Sequence, residues 1–241
     1  MDWRESYYKR FYADKKGYID GTTEFHNLCR HHISEKSAVL EVGAGPSNQT
    51  SEFLSGISKQ LIGLDIDEEV KGNKFLSKAY TYDGKLFPFD DECFDAVVSD
   101  YVLEHVENPV LLCNEIRRVL APGGVFIFRT PNIYHYIPML SRFLPMWLSN
   151  WSRNLPADAH DPYPTVYKFN SAAQCRQIFN KTGFEIVEMS MVEKEPSYGM
   201  KSKLLFFPMM AYERIVNYTE MLSWLRVNIF CAAKKHRSEN D

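Results

Sequence analysis

The feature that most constrains the fold is an alternation of short apolar runs and helical segments between Ala38 and Thr130. Strands buried on both faces of a parallel sheet are apolar and β-branched, whereas the connecting helices follow a period near 3.6 residues. The predicted strands are AVLEV from Ala38, QLIGLDI at 60–66, AYTYDG at 79–84, CFDAVVSD at 93–100 and GVFIFRT at 124–130. This alternation predicts a doubly wound α/β fold with a mainly parallel sheet and right-handed crossovers.

Turn and capping residues indicate where the helices begin and end. The turn GAGPSN precedes a predicted helix that has Thr50 or Ser51 as its N-cap. A second helix is predicted over Val102–Leu120, where apolar residues recur at helical spacing. A later helix is expected to stop at Gly183 and to lead into another strand.

We interpret residues 1–241 as a single domain that carries additions to this alternating core. Residues 1–36, rich in aromatic and charged side chains, predict a helical cap at the N-terminus. Two aromatic segments, 131–168 and 196–223, interrupt the alternation and are expected to form a substrate lid, because binding pockets are mostly apolar. Trp224–Lys235 is the last predicted strand.

Composition excludes several classes of protein. Lys and Arg number 28 against 31 Asp and Glu, so no positive charge surplus exists to neutralise the phosphates of a duplex nucleic acid. We expect no signal peptide and no transmembrane segment, since no sufficiently long uncharged apolar stretch occurs. The five cysteines are widely spaced and odd in number, which indicates reduced thiols and a cytoplasmic protein without a zinc site.

The glycine turn after the first strand predicts a ligand site. Gly43 and Gly45 allow a sharp bend and a close approach of the backbone to a ligand. Asp65 ends the next predicted strand, 20 residues after Gly45. A carboxylate at that position accepts hydrogen bonds from a ribose diol, so the combination predicts a cofactor that contains a nucleoside.

Two further residues distinguish between cofactors. Dinucleotide-binding turns read G-x-G-x-x-G, and Asn48 occupies the third glycine position here. Glu41, immediately before the turn, would repel a pyrophosphate but suits a cationic amino-acid group. S-adenosyl-L-methionine carries an ammonium and a sulfonium and has no phosphate, so acidic residues at the strand ends favour it over NAD. Those residues are Glu41, Asp65, Asp83 and Asp100.

Four motifs in order carry a family resemblance. They are VLEVGAGPS, LIGLDID, YDGKLFPFDDECFDAVVSDYVLEHVENP and EIRRVLAPGGVFIF, within residues 37–131. This run resembles the class I S-adenosylmethionine-dependent methyltransferases, and most of all the subgroup that includes ubiquinone-biosynthesis and small-molecule methyltransferases. The resemblance implies their Rossmann-like, seven-stranded sheet with a final antiparallel strand, and S-adenosyl-L-homocysteine as the product.

The resemblance also implies roles for individual residues. Asp65 would hold the ribose hydroxyls, Ile66 would lie against the adenine ring, and Asp83 would accept from the adenine amino group. The remaining matches are Glu41, Gly43, Ala44, Gly45, Asp100 and Tyr101 around the methionine portion, with Gly84 paired with Asp83.

Histidines are the candidate catalytic bases. His105, in LEHV, is one candidate, although the same histidine recurs in similar enzymes with unrelated substrates, so the resemblance implies that it forms part of the pocket wall. His135 and His160 lie in the aromatic segment after the fifth predicted strand and are better placed to meet a substrate. We predict no catalytic metal.

The sequence therefore predicts a methyltransferase for a hydroxyl or amine of a small, largely apolar or glycosylated acceptor. In-line displacement at an activated methyl group demands good cofactor residues but no fixed catalytic triad. The alternatives are a nicotinamide-dependent oxidoreductase and a non-catalytic interaction module. We expect a monomer or homodimer, and weak membrane-surface contact near LLFFPMM, which has Lys201, Lys203 and Arg214 beside it.

Overall fold

The structure, a computed structural model, describes residues 2–141 and 164–236. Its seven strands are β1 Ala38–Val42, β2 Gln60–Asp65, β3 Lys78–Thr81, β4 Phe94–Asp100, β5 Leu120–Pro131, β6 Phe184–Val192 and β7 Asn228–Lys235. Its α-helices are α1 Trp3–Tyr8, α2 Gly21–His32, α3 Gln49–Ile57, α4 Pro109–Val119, α5 Tyr136–Ser141, α6 Ala172–Thr182 and α7 Lys203–Tyr218. A π-helical turn, Lys9–Ala13, continues α1, and short 3-10 helices cover Glu68–Gly72, Leu103–His105, Ser197–Lys201 and Glu220–Leu225.

The strands form one sheet in the order β3-β2-β1-β4-β5-β7-β6. Strands β1 to β5 pair in parallel, and the final strand is antiparallel, which confirms the predicted fold class. The strand order reverses between β1 and β4. Since crossovers are right-handed, that reversal places the connecting helices on opposite faces of the sheet.

The centre of the sheet forms the core because its strands are apolar on both faces. Leu40, Leu64, Val97 and Ile127, one from each of four neighbouring strands, are all fully buried. Helices α4 and α6 pack side by side, and Phe179 of α6 packs edge-on against Phe126 of β5 and in a tilted arrangement against Phe128. Burial of this kind stabilises the fold by about 1.5–3 kcal/mol for each large apolar side chain.

Two predicted helix starts are corrected by the capping residues. Helix α3 is capped by Asn48 and not by Thr50 or Ser51, since the Asn48 side chain accepts from the Ser51 amide at 2.8 Å. Helix α4 begins at Pro109 and not at Val102, because Asn108 is its N-cap and proline suits the first helical position.

Three strand boundaries also differ from the predicted ones. Strand β3 ends at Thr81, so Asp83 and Gly84 lie in the turn that follows it. Strand β5 already begins at Leu120: Phe94 pairs with Leu120 and Ala96 with Val125, so the Pro-Gly-Gly segment bulges from a continuing strand. Strand β7 begins at Asn228, because residues before it form a 3-10 helix.

The chain divides into two compact units. The sheet unit consists of Phe25–Pro131, Pro164–Ser190 and Ile229–Asp241, and the peripheral unit of Met1–Glu24, Asn132–Tyr163 and Met191–Asn228. Most of the predicted cap and both predicted insertions contribute to the peripheral unit. Their role as a lid, and the single-domain organisation, remain predictions. In the described parts of both units, no helix is long and apolar enough to cross a bilayer.

Candidate functional site

The glycine turn, the end of β2 and the end of β4 meet at the carboxyl edge of the sheet. Strand β1 lies between β2 and β4, and the strand order reverses next to it. In open α/β sheets, ligands bind in the crevice outside the carboxyl ends of the strands at such a reversal. The structure therefore brings together most of the predicted cofactor residues at the place where this fold binds ligands.

The turn after β1 depends on the two glycines in different ways. Gly43 has a φ of +75°, and a Cβ there would lie 2.1 Å from Cγ2 of Val102, so a side chain is excluded. Gly45 has a φ of +51°, and no protein atom lies within 4 Å of the position of its Cβ. Gly43 thus serves close packing, whereas Gly45 leaves space open beside the backbone.

Side-chain amides hold the turn in place. Asn48 donates to the carbonyl of Ala44 at 2.8 Å while it caps α3. The buried amide of Asn73 donates to Ser51 Oγ at 2.9 Å and lies within 3.4 Å of the Ala44 carbonyl. Ser47 accepts from the Lys74 amide at 3.0 Å. Asn48, which occupies the third glycine position, therefore stabilises the loop and keeps its conformation fixed before a ligand binds.

Asp65 is oriented by the backbone on either side of it. Its Oδ2 accepts from the Gly45 amide at 2.8 Å, and its Oδ1 accepts from the Asp67 amide at 3.0 Å. An ionised carboxylate has about four acceptor positions, so two remain beyond these bonds. Two acceptors on one rigid group match two vicinal hydroxyls.

Three large apolar side chains are exposed after the strands that end at this edge. Ile66 is 52% exposed, Leu86 68% and Tyr101 41%, which is unusual for side chains of this size next to buried strands. The Cβ position of Gly84 lies 4.0 Å from Cγ2 of Ile66, so the predicted adenine residues adjoin each other. Leu86 is not among the residues predicted from the sequence; its position two residues after the Asp-Gly pair was the available signal.

Asp83 lies at the same edge and is exposed. Its Oδ1 accepts from the Lys85 amide at 3.0 Å and lies 3.4 Å from the Leu86 amide. These backbone hydrogen bonds lower the pKa of Asp83, so it is an anion at neutral pH. It can accept a further hydrogen bond from an amino group.

Glu41 lies beneath the turn and not at its surface. Its side chain is 2% exposed, and it accepts from Ser51 Oγ at 2.8 Å. Burial raises the pKa of Glu41 to about 8, the nearby charge of Asp100 adding to the effect. At neutral pH the group is therefore mostly a neutral acid, which braces the turn from below.

Asp100 is paired with a buried arginine that the sequence analysis missed. Arg129, at the end of β5, binds both carboxylate oxygens, with Nε at 2.5 Å and Nη2 at 2.9 Å. Thr50 Oγ1 donates to Asp100 at 2.7 Å. An arginine within an otherwise apolar strand, GVFIFRT, was the signal for a buried acidic partner.

The same arginine positions Tyr101. Its guanidinium lies 4.7 Å from the centre of the Tyr101 ring and 5.1 Å from that of Phe25. The Tyr101 amide donates to the Arg129 carbonyl at 3.1 Å, and Tyr101 has a φ of +57°. A non-glycine residue in this region is uncommon, so these contacts hold Tyr101 in an unfavourable backbone conformation directly after β4.

Glu104 is a buried carboxyl that the sequence analysis also passed over. It is 6% exposed and accepts from Thr130 Oγ1 at 3.4 Å. Burial raises the pKa of Glu104 to about 7. Thr130 Oγ1 in turn accepts from the side-chain amide of Asn170 at 2.7 Å. These hydrogen bonds connect the turn after β4 to the segment before α6.

The three candidate histidines have different surroundings. His105 is half-buried in the 3-10 helix after β4, with Nδ1 3.4 Å from the Pro164 carbonyl oxygen. His135 belongs to the peripheral unit and is 2% exposed, which differs from the open position expected of a residue that meets substrate. His160 lies outside the described residues.

The environment of His135 favours its neutral form. The Ile137 amide donates to Nδ1 at 3.3 Å, which places the ring proton on Nε2, 3.5 Å from Glu193 Oε2. Burial lowers the pKa of His135 to about 4 and raises that of Glu193 to about 8. Among the residues that the structure describes, including this pair, no three acidic, histidine or cysteine side chains are arranged to hold a metal ion.

Comparison with known proteins places the same stretch of chain in one family. Residues 40–128 match the family model described as "Methyltransferase domain". A probable S-adenosylmethionine-dependent methyltransferase of Mycolicibacterium smegmatis is 28% identical over 67% of this chain and 58% of its own length. A sterol 24-C-methyltransferase of Clavispora lusitaniae is 31% identical over 76% of this chain and 50% of its own. The chain thus spans little more than half the length of these relatives.

Solved structures share the fold at lower identity. An S-adenosylmethionine-dependent methyltransferase from Methanosarcina mazei has a TM-score of 0.57 at 16% identity, over 88% of this chain and 98% of that one. The cyclase SpnF has a TM-score of 0.58 at 17% identity, over 89% and 82%. Identity this low shows the fold alone, and the fold hosts more than one reaction.

Proposed function

Because the chain belongs to the class I S-adenosylmethionine-dependent methyltransferases, we propose that it transfers a methyl group from S-adenosyl-L-methionine to a small acceptor. The acceptor offers a hydroxyl or amine on a largely apolar or glycosylated molecule, and S-adenosyl-L-homocysteine is the product. The observation that carries this proposal is the carboxylate of Asp65, fixed by two amides beside the open side of Gly45.

The donors and acceptors at this edge fit S-adenosyl-L-methionine better than a dinucleotide. Three backbone amides of the turn already donate to oxygens of the protein. The Gly43 amide donates to the Leu64 carbonyl at 2.7 Å, and the amides of Gly45 and Ser51 donate to side-chain oxygens. Amides used in this way are not available to a pyrophosphate, which binds such turns through free backbone N–H groups. Asp65 would hold the ribose, and Asp83, Ile66 and Leu86 would surround the adenine.

Glu41 and Asp100 would not need to contact the methionine portion directly. They would position it by stabilising the glycine turn and the end of β4, which lie beside it. When bound, the cofactor supplies a methyl group already activated by its positive sulfur. The residues of the chain would bind the nucleoside, exclude water with apolar side chains and orient the acceptor in line. The exposed ring of Tyr101, 4.7 Å from the Arg129 guanidinium, belongs to the residue that directly follows β4 at this edge.

The acceptor class is inferred from apolar surface and from relatives. Several relatives are named as sterol 24-C-methyltransferases, and sterols are largely apolar molecules. A base need only take a proton late in the displacement, so a modestly placed group suffices. His105, in the 3-10 helix after β4, is our first candidate for this base. His135 and His160 are the other two candidates, and we propose that they lie near the acceptor.

The finer cellular properties are part of the same proposal. All five cysteines are free, and burial raises the pKa of each thiol, which supports a reducing, cytoplasmic environment. We propose a monomer or homodimer with a small-molecule acceptor.

An Asp65→Ala variant tests the assignment of the ribose site. The affinity for S-adenosyl-L-homocysteine should fall at least tenfold, because hydrogen bonds to a charged group contribute about 1.5–3 kcal/mol. Titration calorimetry measures the affinity directly and requires no acceptor.

The matched control is Asp67→Ala, two residues along the chain. The Asp67 carboxylate accepts from the Glu69 amide at 3.0 Å and caps a 3-10 helix, so its loss should lower stability and leave affinity within about threefold. Equal affinities for wild type and Asp65→Ala would refute the proposal. Equal losses in the two variants would show that loop stability, and not ribose binding, is being measured.

A further inference from the structure

Helix α7 has two apolar faces, of which one is buried and one is exposed. Phe206 and Val216 lie in the interior of the peripheral unit. On the opposite side, residues recur at intervals of three and four and therefore share one face of the helix. This exposed stripe consists of Leu204 (83% exposed), Phe207 (46%), Ala211, Ile215 (58%) and Tyr218 (91%). A globular helix normally buries its apolar stripe and exposes a polar one.

Exposed apolar side chains are concentrated in this unit. Of the fifteen large apolar side chains exposed among the described residues, eleven belong to the peripheral unit, although it is the smaller of the two. Met139 and Leu140 of α5 and Met221 and Trp224 after α7 are among them, each more than half exposed. The exposed stripe is thus one part of a larger set of exposed apolar side chains in this unit.

The N-terminal helix extends the stripe with aromatic rings. Tyr7 and Phe11 pack against Phe207, with ring centres 5.6 and 6.1 Å apart. Trp3 stacks edge-on against Tyr7 at 5.4 Å. Half-buried tryptophan and tyrosine rings of this kind are typical of positions where an apolar phase meets water.

Cations border these aromatic rings. The ammonium of Lys203 lies 5.8 Å from the centre of the Trp3 ring, and the guanidinium of Arg10 lies 5.4 Å from that of Phe11. Lys201 lies close enough to Arg4 that the arginine charge, after burial, lowers the pKa of Lys201. Asp2 already lies 3.8 Å from Arg4, and a lipid phosphate would interact with Lys201 and Lys203 in the same way. The single acidic residue of α7, Glu213, is buried on the opposite face of the helix.

We propose that the exposed stripe of α7 and the neighbouring aromatic rings dock on a lipid bilayer that contains anionic headgroups. The apolar side chains would enter the boundary between headgroups and acyl chains, and the bordering lysines and arginines would contact lipid phosphates. The exposed stripe runs along α7 from Leu204 to Tyr218, about four turns, so it can lie along a lipid surface. This docking does not depend on the methyl-transfer chemistry and can be measured without cofactor or acceptor.

Vesicle flotation tests the proposal with two lipid mixtures, phosphatidylcholine alone and phosphatidylcholine with phosphatidylserine. Wild type should float with the phosphatidylserine vesicles and less with phosphatidylcholine, and added salt should weaken its binding. The variant Leu204→Asp/Ile215→Asp should lose at least tenfold in partition to both mixtures. Lys201→Glu/Lys203→Glu should lose mainly the preference for phosphatidylserine.

The control is Val187→Asp, which replaces one apolar side chain by aspartate at an exposed position of β6 in the sheet unit, where Val187 is 42% exposed. It should bind vesicles as wild type does. Titration with S-adenosyl-L-homocysteine and thermal unfolding verify that each variant is folded; Leu204→Ser/Ile215→Ser replaces the aspartates if they prevent folding.

Three results would overturn the proposal. Wild type that stays with neither vesicle type has no lipid-docking face. Vesicle binding that survives Leu204→Asp/Ile215→Asp assigns it to another surface. A wild-type dimer that the same variant converts to monomers, with vesicle binding absent, shows that a second copy of the chain covers the stripe.

Discussion

An alanine at position 43 should destabilise the protein by about 2–5 kcal/mol, the sum of backbone strain and overpacking. The φ of Gly43 is +75°, in the region where an L-residue costs about 1–2 kcal/mol. The added methyl group would lie 2.1 Å from Cγ2 of Val102 and 3.2 Å from its Cβ and Cγ1. Forcing a methyl group into such a space costs about 1–3 kcal/mol more.

Gly45→Ala separates the two contributions. Gly45 also has a positive φ, +51°, but no protein atom lies within 4 Å of its Cβ position. Its alanine variant should lose only the strain, about 1–2 kcal/mol. Its methyl group would instead occupy the open side of the turn, so the affinity for S-adenosyl-L-homocysteine should fall as well.

A double-mutant cycle with Val102→Ala tests the clash itself. Removing both Cγ atoms of Val102 leaves its Cβ, 3.2 Å from the new methyl group of Gly43→Ala. The double variant should therefore be about 1–2 kcal/mol more stable than the sum of the single changes predicts.

Urea unfolding, followed by fluorescence and circular dichroism to verify two-state behaviour, gives each free energy of unfolding. Equal losses in Gly43→Ala and Gly45→Ala, or strict additivity with Val102→Ala, would refute the reasoning.

Two further predictions concern buried charge. The pKa of Glu41, 4.5 when unfolded and about 8 when folded, means that its stabilising contribution is complete below about pH 4.5 and is lost as the pH rises to about 8. Wild type should therefore lose stability relative to Glu41→Gln over that range, and parallel pH profiles of the urea midpoint would contradict this. Arg129→Met should cost about 3–5 kcal/mol, because it leaves Asp100, whose side chain is 14% exposed, with no positive charge beside it and only the Thr50 hydroxyl as a donor among the described residues. The double variant Asp100→Asn/Arg129→Met should be more stable than Arg129→Met alone; thermal unfolding showing the reverse would exclude this account.

Local sequence was sufficient where the physical cause is local. The alternation of strands and helices predicts the sheet, since the side-chain period of each element is set by its own backbone. Gly43 and Gly45 predict the turn, because positive φ values favour glycine. The motifs in order led to the correct family, and with it the antiparallel final strand.

Competing local signals produced the errors. Apolar spacing extended the predicted α4 back to Val102, but Asn108 followed by Pro109 is the stronger start signal. At the turn, Thr50 and Ser51 are residue types that favour the N-cap position, but Asn48 is the residue whose side chain accepts from the Ser51 amide. In each case the capping hydrogen bond, and not the hydrophobic pattern, determines where the helix begins.

The sequence by itself determined which residues stand at the ends of the strands, and tertiary structure decided what those residues contact. Asp100 and Arg129 are 29 residues apart and meet because β4 and β5 are neighbours in the sheet. Glu41 is neutral because strands and helices enclose it, which no local pattern encodes. Burial and lateral pairing depend on the whole arrangement of the sheet, so the charge state of a carboxyl group follows from the fold and not from its immediate neighbours in the chain.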